Sequence, residues 1–291
     1  MKKIFPTIIL ICTFLIGLSL LLYPTVSDWW NSKHASRAII DYAAAWENLT
    51  EEDYSALFQA AQAYNREIAQ IDFPLMYHDR VQGYEETLNV DGSGIMGYVT
   101  IEKIKVQLPI YHGTSEGVLQ KGVGHLTGTS LPIGGSGNHA VLSAHRGLPS
   151  ARLFTDLDRM QVGDRFRLTI LDQELIYEVD QILTVEPHEV EPLYCVAGED
   201  LCTLITCTPY GVNSHRLLVR GRRVAADTPP AVLPSDAVML PHYAAAPVLA
   251  LPFLLFWGGI MVLNAVRRRS NAKNHIAADA GGTAGFACKG T

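Results

Sequence analysis

The chain has 291 residues, enough for one sizeable domain with anchoring segments or for two small domains. Apolar residues make up 48 % and charged residues 18 %, a composition typical of globular or membrane-associated proteins and not of disordered ones. The net charge of −6 argues against nucleic acid as a partner, because phosphate binding needs a basic face. Five cysteines are too few for a disulfide-built scaffold, and an odd number leaves one thiol unpaired outside the cytoplasm.

The first predicted element is a membrane anchor. No charged residue occurs from Ile4 to Val26, a lysine pair precedes this run, and the pair Trp29 and Trp30 follows it. Amphipathic rings of this kind favour the headgroup layer of a membrane. The run is too long for an ordinary signal peptide and no small-residue cleavage site follows it, so an uncleaved signal anchor is favoured. A cleaved signal is the alternative.

Helices are predicted next, over residues 36–70. This stretch is rich in Ala, Glu, Gln and Tyr, contains no Gly or Pro, and places its apolar residues at helical spacing. Thr50, followed by the acidic run Glu51 to Asp53, is typical of a helix start with a hydroxyl cap. We therefore expect two helices ahead of the next region.

Strands are predicted after Gly92, where short β-branched runs alternate with Gly and Pro. The runs DRFRLTI (164–170) and ELIYEV (174–179) alternate apolar with polar residues, as half-buried antiparallel strands do. Strands and helices do not alternate along the chain. The pattern therefore favours a mainly β fold, a closed barrel or a sandwich, over a parallel α/β sheet.

Three polar residues at the ends of apolar runs are candidates for chemistry: Cys207, His145 and Arg216. Cys207 and Arg216 lie on sequential strands joined by one loop, which usually pair. A thiolate can attack a carbonyl, an imidazole can move the proton of an amine, and a guanidinium suits a developing oxyanion. Each residue taken alone is as well explained by a structural role.

The last predicted element is a second membrane span, the apolar run from Ala244 to Val266, followed directly by Arg267 to Arg269. Positive residues are retained on the cytoplasmic side of a membrane. The lysines before the first span and these arginines therefore predict that both termini are cytoplasmic. Residues from about 30 to 240 are then extracellular.

Several motifs together resemble the sortase family. TLITC, ending at Cys207, with TPYGVNSHRLLVRGRR after it, resembles the sortase cysteine signature with its downstream arginine. SAHRGLPSARLFTDLDRMQVGDRF resembles the segment of the catalytic histidine. IYHGTSEGVLQKGVGHLTGTSLPIGG, from Ile110, resembles more narrowly the class C sortases, which polymerise pilins. The resemblance covers residues 97–223.

This resemblance implies a closed eight-stranded barrel and a two-step acyl transfer. Cys207 is implied as the nucleophile, His145 as the general acid/base and Arg216 as the substrate- and oxyanion-stabilising cation. The implied substrates are pilins or surface proteins with an LPxTG-like signal, cleaved between Thr and Gly through a thioacyl enzyme and resolved by an acceptor lysine. Membrane lipid is the other expected partner, and no cofactor and no metal are expected.

Further residues receive milder interpretations. His125, Ser143 and Thr206 are candidate groove-lining residues, with structural roles as the alternative. Cys195 and Cys202 can form a disulfide or remain two free thiols. Class C sortases carry an Asp-Pro-aromatic lid whose Asp pairs with the catalytic arginine and whose ring covers the cysteine. Here the order differs, and Asp72 and Phe73 are the lid candidates, with a plain linker as the alternative. Pro74 biases Phe73 toward an extended conformation, so the segment is predicted to be a strap and not a helix.

The predicted organisation has six parts: anchor 1–28, helical region 29–92 with the lid segment 70–77, catalytic barrel 93–226, linker 227–243, transmembrane helix 244–266 and cytoplasmic basic tail 267–291. Three alternatives to a pilin-polymerising enzyme remain. The first is a sortase of another class that anchors proteins to the cell wall. The second, a papain-like protease, is disfavoured because the cysteine follows the histidine in the chain. The third is a non-catalytic, membrane-bound pilus assembly or adhesion subunit.

Overall fold

The computed structural model describes residues 5–225, with side chains from residue 10 onward. The predicted linker 227–243, the second span 244–266 and the basic tail 267–291 lie outside the described residues. The expectations about them therefore stay predictions.

The first element is one long helix, α1 (Phe5–Glu47), of 43 residues. Its apolar N-terminal part is long enough to cross a membrane, and no other helix within residues 5–225 meets this condition. The expected boundary after residue 28 falls inside the helix, so the anchor segment continues into the helical region without a break. Farther along, Tyr42 is fully buried; its hydroxyl donates to the Met96 carbonyl at 2.8 Å and accepts from the Leu171 N–H at 2.9 Å.

The second predicted helix is α2 (Glu51–Ile68), and its predicted start is confirmed. Thr50 is the N-cap: its hydroxyl accepts from the Asp53 N–H at 3.1 Å, and the Asp53 carboxylate accepts from the Thr50 N–H at 3.4 Å. The buried Asn65 amide makes two hydrogen bonds to the Leu131 backbone, to its carbonyl at 3.3 Å and from its N–H at 2.7 Å. These two hydrogen bonds hold α2 against the region that contains the strands.

The segment after α2 folds differently from its predicted extended form. Phe73 adopts a left-handed conformation, with φ of 57°, and Pro74 begins a short helix, α3 (Pro74–Tyr77), followed by a 3₁₀ turn (His78–Arg80). A proline usually biases its predecessor toward an extended conformation. The structure uses the other property of proline, its suitability for the first position of a helix.

Eight strands form a closed barrel. In chain order they are β1 (Ile95–Ile101), β2 (Val106–His112), β3 (Val123–His125), β4 (Asn138–Ser143), β5 (Arg165–Ile170), β6 (Gln173–Val185), β7 (Asp200–Thr208) and β8 (His215–Arg223). Their order around the barrel is β1-β2-β3-β4-β7-β8-β6-β5. The β2–β3 and β4–β7 pairs are parallel and the others antiparallel, including the predicted β5–β6 pair. The predicted closed barrel is confirmed.

Alternation along the strands separates an inner face from an outer face. On β7, Cys202 and Leu204 point into the main core, whereas Ile205 points outward. Beside Ile205 the outer face carries a second group of apolar side chains, which we call the outer apolar cluster: Val141, Leu193, Ile205 and Leu218, with Leu75, Leu126, Leu183 and Val185 packed against it. The parallel β2–β3 pair requires a crossover, and this crossover contains the short helix α4 (Glu116–Leu119).

Candidate active site

Cys207 and Arg216 face each other across two antiparallel strands. Cys207 lies near the end of β7, Arg216 lies near the start of β8, and their Cα positions are directly paired. Both side chains are half-buried. They follow the outward register of Ile205 and Leu218, so they lie at the end of the outer apolar cluster. The expected pairing of the two strands is confirmed.

His145 lies on the other side of Cys207. β4 runs parallel to β7 with Ser143 paired to Ile205, and the Ala144 N–H donates to the Ile205 carbonyl at 3.1 Å. Continuing this register by two residues brings His145 alongside Cys207. The three candidate residues therefore lie on neighbouring strands, at one edge of the barrel and on its outer face.

The loop after His145 is held at both ends. The His145 carbonyl accepts from the Phe154 N–H at 3.1 Å, which closes the loop on itself. Near its middle the loop is tied to α1: the Asp28 carboxylate accepts from the Arg152 N–H, and the Asn31 amide donates to the Ser150 carbonyl, each at 2.8 Å. Contacts within the loop and contacts to α1 thus fix the position of the loop that follows the candidate histidine.

The His145 ring has one charged neighbour. Its Nε2 atom lies 3.5 Å from Glu116 Oε2 at the start of α4, and 27 % of the His145 side chain is exposed. The Nε2 atom is itself buried and has no hydrogen-bond partner in the part of the chain described. Sequence reasoning missed Glu116, because an acidic residue at the start of a short helix usually serves only the helix.

The Arg216 guanidinium is oriented by carbonyl groups. Its Nη1 atom donates to the Asn213 carbonyl at 3.2 Å and to the His215 carbonyl at 3.1 Å. Within residues 5–225 it forms no ion pair with a carboxylate, so its charge is not neutralised by a neighbour. Such a cation is suited to bind a carbonyl or an oxyanion beside Cys207.

Of the two roles expected for His125, groove-lining and structural, the surroundings of its ring fit the structural one. It is fully buried inside the barrel, with Nδ1 2.9 Å from the Tyr84 hydroxyl and Nε2 2.9 Å from the Ser130 carbonyl. Burial lowers the pKa of His125 to about 4, so the ring is neutral. A neutral ring that donates from Nε2 and accepts at Nδ1 satisfies both contacts.

The two hydroxyl candidates differ. Thr206 is buried at 1 % exposure and its hydroxyl donates to the Ala144 carbonyl at 2.9 Å, so it fastens the strand that leads to His145 and does not line a groove. Ser143 is half-buried on the outer face between Gly124 and Ile205 in the sheet. Ser143 therefore lies beside the candidate site and stays a candidate groove residue.

The contacts expected of the lid candidates are not formed in this structure. Asp72 and Arg216, both among the described residues, do not make an ion pair, and the Phe73 side chain is 65 % exposed. The left-handed backbone at Phe73 and the helix start at Pro74 turn the chain so that Leu75 packs against the outer apolar cluster instead. The segment thus contacts the groove with a different residue from the one that the sequence suggested.

Cys195 and Cys202 are both free thiols, which was the second of the two expected arrangements. Cys195 is exposed with its Sγ atom 3.6 Å from the Ser130 hydroxyl, whereas Cys202 points into the core. Burial raises the pKa of the Cys202 thiol, which makes it a poor nucleophile. Residues 5–225 contain no group of three or more His, Cys, Asp or Glu side chains placed to hold a metal ion.

Comparison with known proteins gives one family. The family model described as "Sortase domain" matches residues 99–224. The crystal structure of sortase C1 from Streptococcus agalactiae superposes with a TM-score of 0.62 at 49 % identity, covering 66 % of this chain and 100 % of that chain. Sortase C1 of GBS pilus island 1 superposes with a TM-score of 0.57 at 42 % identity, covering 66 % of this chain and 92 % of that one.

A curated relative agrees with these structures. Sortase D of Bacillus subtilis is 30 % identical over 131 residues, which is 44 % of this chain, and the match spans 63 % of that relative's length. The matched ranges contain the strands that bring together His145, Cys207 and Arg216. On this agreement between geometry, sequence and fold, the chain belongs to the sortase family of cysteine transpeptidases, with class C sortases as its structural relatives.

Proposed function

We propose that this protein is a pilin-polymerising class C sortase in which Cys207 is the nucleophile, His145 the general acid/base and Arg216 the oxyanion-stabilising cation. The observation that carries the proposal is the register of three neighbouring strands. It places His145 and Arg216 on either side of Cys207, on the same outer face. Residues 93–226 then form the catalytic domain.

In the first half-reaction, the Cys207 thiolate attacks the carbonyl carbon of the threonine in an LPxTG-like signal. A C–S bond forms, and the negative charge that develops on the carbonyl oxygen is stabilised by the Arg216 donors. The C–N bond to glycine then breaks, and the imidazolium of His145 gives its proton to the departing amine. The product is a thioacyl enzyme with a neutral His145.

In the second half-reaction, the side-chain amine of a lysine on another pilin attacks the thioacyl carbonyl carbon. A C–N bond forms, the amine proton passes to His145, and the C–S bond breaks to return the Cys207 thiolate. The new link is an isopeptide bond. The acid and base roles of His145 are thus used alternately, and the enzyme returns to its starting state.

The outer apolar cluster supports this substrate class. It extends along the outer face of the barrel to the edge where Cys207 lies, and its side chains are leucine, isoleucine and valine. Such a surface suits the leucine and proline of an LPxTG-like signal bound in extended form. The similarity to sortase C1 proteins, one of them named for a pilus island, favours a pilin as the acceptor.

We propose further that α1 anchors the protein to the membrane, with the barrel outside the cell and both termini cytoplasmic. The apolar N-terminal part of α1 is long enough to span a bilayer. The lysine pair before it and the arginine run at residues 267–269 give the orientation by charge.

The segment 70–77 is proposed as a strap over the groove. Leu75 packs against the outer apolar cluster, where the leucine of a sorting signal would otherwise bind. Displacing Leu75 would free this surface. The strap therefore competes with substrate through an apolar contact and not through the ion pair to Arg216 expected from sequence.

The decisive experiment uses the full chain in native membranes or detergent with a library of LPxTG-type peptides. We expect a thioester adduct on Cys207, detected by mass spectrometry, and transfer of the adduct to a lysine-containing pilin segment. Transfer to a peptidoglycan amine in preference to lysine would favour a cell-wall-anchoring sortase. Absence of any adduct on Cys207 would contradict the enzyme proposal and leave a non-catalytic assembly subunit.

A further inference from the structure

The carboxylate of Glu116 lies beside the candidate acid/base and has no place in the steps above. Its Oε2 atom is 3.5 Å from His145 Nε2. We propose that Glu116 is a positioning residue that holds the Nε2 side of the His145 ring and leaves the other ring nitrogen, Nδ1, on the Cys207 side. The inference rests on the proposed role of His145.

The position of Glu116 is set by the fold. The Gln120 amide donates to Glu116 Oε1 at 2.9 Å, which holds one carboxylate oxygen and leaves the other facing His145. α4 packs closely on β3, since a Cβ atom added at Gly124 would lie 2.3 Å from the Gly113 carbonyl oxygen and 3.2 Å from Leu119 Cδ2. The carboxylate is therefore presented by a helix with little freedom to move.

β3 also fixes the distance between the two side chains. Gly124 pairs with Ser143 in the sheet, two residues before His145. The crossover that carries Glu116 and the strand end that carries His145 are thus fastened to each other through one pair of hydrogen-bonded strands. This explains how a carboxylate from residue 116 reaches a histidine from residue 145.

The other charged groups near His145 do not replace Glu116. Arg146 points away, donating to the Thr208 hydroxyl at 3.1 Å and to the Asp158 carboxylate, which neutralises it. Arg216, on the far side of Cys207, binds carbonyl groups. Glu116 is the one carboxylate within ion-pair distance of His145 in the described part of the chain.

One consequence follows for the reaction. With Nε2 directed to Glu116, Nδ1 is the nitrogen left to give a proton to the departing glycine amine and to take one from the attacking lysine amine. Because 68 % of the Glu116 side chain is exposed, water and salt screen its attraction for the ring, and its effect is moderate.

The test measures which nitrogen of the His145 ring carries the proton. The full chain, labelled with ¹⁵N-histidine in detergent micelles, is studied by NMR at one fixed pH, and the His145 signals are assigned by their loss in His145→Gln. The neutral ring of wild type should carry its proton on Nε2, and Glu116→Gln should lower the share of this tautomer. The same variant should lower kcat roughly threefold and leave KM unchanged, because the ring is no longer held in one orientation toward Cys207.

The conservative and control variants separate charge from structure. Glu116→Asp keeps the carboxylate on a shorter arm and should fall between wild type and Glu116→Gln. Glu86→Gln removes an exposed carboxylate that forms no ion pair within residues 5–225 and should leave the tautomer ratio of His145 and kcat unchanged. In about 1 M salt the difference between wild type and Glu116→Gln should shrink, as expected for a screened pair.

An unchanged tautomer ratio in Glu116→Gln, or the same change in Glu86→Gln, would overturn the inference. A loss of kcat in Glu116→Gln that Glu116→Asp does not partly restore would do so too, since it would indicate a structural role only. The proposed function fails separately: if wild type forms no adduct on Cys207, the NMR measurement still decides whether Glu116 orients the His145 ring.

Discussion

Three histidines of the barrel differ in what their surroundings allow them to do. His125 is fully buried between a hydroxyl and a carbonyl, and His139 is fully buried between the Tyr194 carbonyl and the Thr203 hydroxyl. Burial lowers the pKa of both rings, so both are held neutral as hydrogen-bonding cross-links. His145 lies at the rim beside a thiol and a carboxylate, the position from which a proton can be exchanged with a substrate.

The first prediction concerns the three reacting residues. Cys207→Ala should abolish the thioacyl adduct, because the other thiols of residues 5–225 do not lie beside an imidazole. His145→Ala and Arg216→Ala should each lower the transpeptidation rate by at least about a hundredfold, the usual scale for losing an acid/base or an oxyanion donor. Cys195→Ala, which removes an exposed thiol, is the control and should keep wild-type activity. An adduct on Cys195 or Cys202 at the wild-type rate would contradict the assignment.

The second prediction concerns stability in acid. The pKa of His125 falls from 6.5 to about 4 on burial, so between these pH values the unfolded chain binds a proton that the folded chain does not. The contribution of His125 to the free energy of unfolding is therefore fully present above pH 6.5. It is lost as the pH falls toward 4, by about 3 kcal/mol in total. The His125→Gln variant has no titrating group at this position. It should be less stable than wild type at pH 7, but its free energy of unfolding should fall less than that of wild type on acidification.

Denaturant unfolding of both proteins at pH 7, 6 and 5 checks this prediction. His139 titrates in both, so its contribution cancels in the comparison. Equal losses of unfolding free energy in wild type and His125→Gln would show that His125 is not the group responsible.

At the scale of elements, the strap (residues 70–77), which contains α3, gives the third prediction. Leu75 packs against the outer apolar cluster, whereas Phe73 is mostly exposed. Leu75→Ser removes an apolar contact of about 1 kcal/mol and should speed modification of Cys207 by a small thiol reagent roughly fivefold. Phe73→Ser and Asp72→Ala are the matched controls and should leave the rate unchanged. A faster reaction in the controls than in Leu75→Ser would instead support the lid contacts of Asp72 and Phe73 that the sequence predicted.

The pairing of β6 and β8 gives the fourth prediction. A Cβ atom added at Gly221 would lie 2.7 Å from Phe166 Cε1 and 2.8 Å from Tyr177 Cβ, where the two rings stack in the core. Gly221→Ala should therefore lower the free energy of unfolding by about 1–3 kcal/mol. Gly117→Ala, where the added atom meets open space, is the control and should be close to neutral. Adding Phe166→Leu to Gly221→Ala should recover part of the lost free energy of unfolding. If nothing is recovered, the contact with Phe166 is not the cause of the destabilisation.

At the scale of the whole molecule, the fifth prediction concerns topology. An impermeant thiol reagent applied to intact cells should label Cys195 in the barrel and leave Cys288 in the tail unlabelled. The physical reason is the retention of Lys2, Lys3 and the arginine run at residues 267–269 on the cytoplasmic side. Labelling of Cys288 from outside would contradict the two-span topology.

Sequence patterns predicted the architecture because its causes are local. Alternation in β5 and β6 and the cap at Thr50 act over a few residues, and the structure confirms them. The pairing of Cys207 with Arg216 needs only two sequential strands. Sequence did not reveal the burial of His125 or the contact of Glu116 with His145, because both depend on how distant strands close into a barrel. At Phe73 two properties of proline compete, and the sequence does not say which one prevails.

The hydrogen bonds of Asp28 and Asn31 to the loop after His145 also set the distance between this loop and the apolar segment of α1. With the apolar segment ending at Val26, a helical rise of 1.5 Å per residue places Asp28 about 3 Å and Asn31 about 8 Å beyond it. With α1 anchored in the membrane as proposed, the rim that carries Cys207 is held close to the lipid surface. A substrate that is itself held in the membrane would meet Cys207 by diffusing in two dimensions, whereas a freely dissolved peptide would have to find the same narrow layer from the bulk.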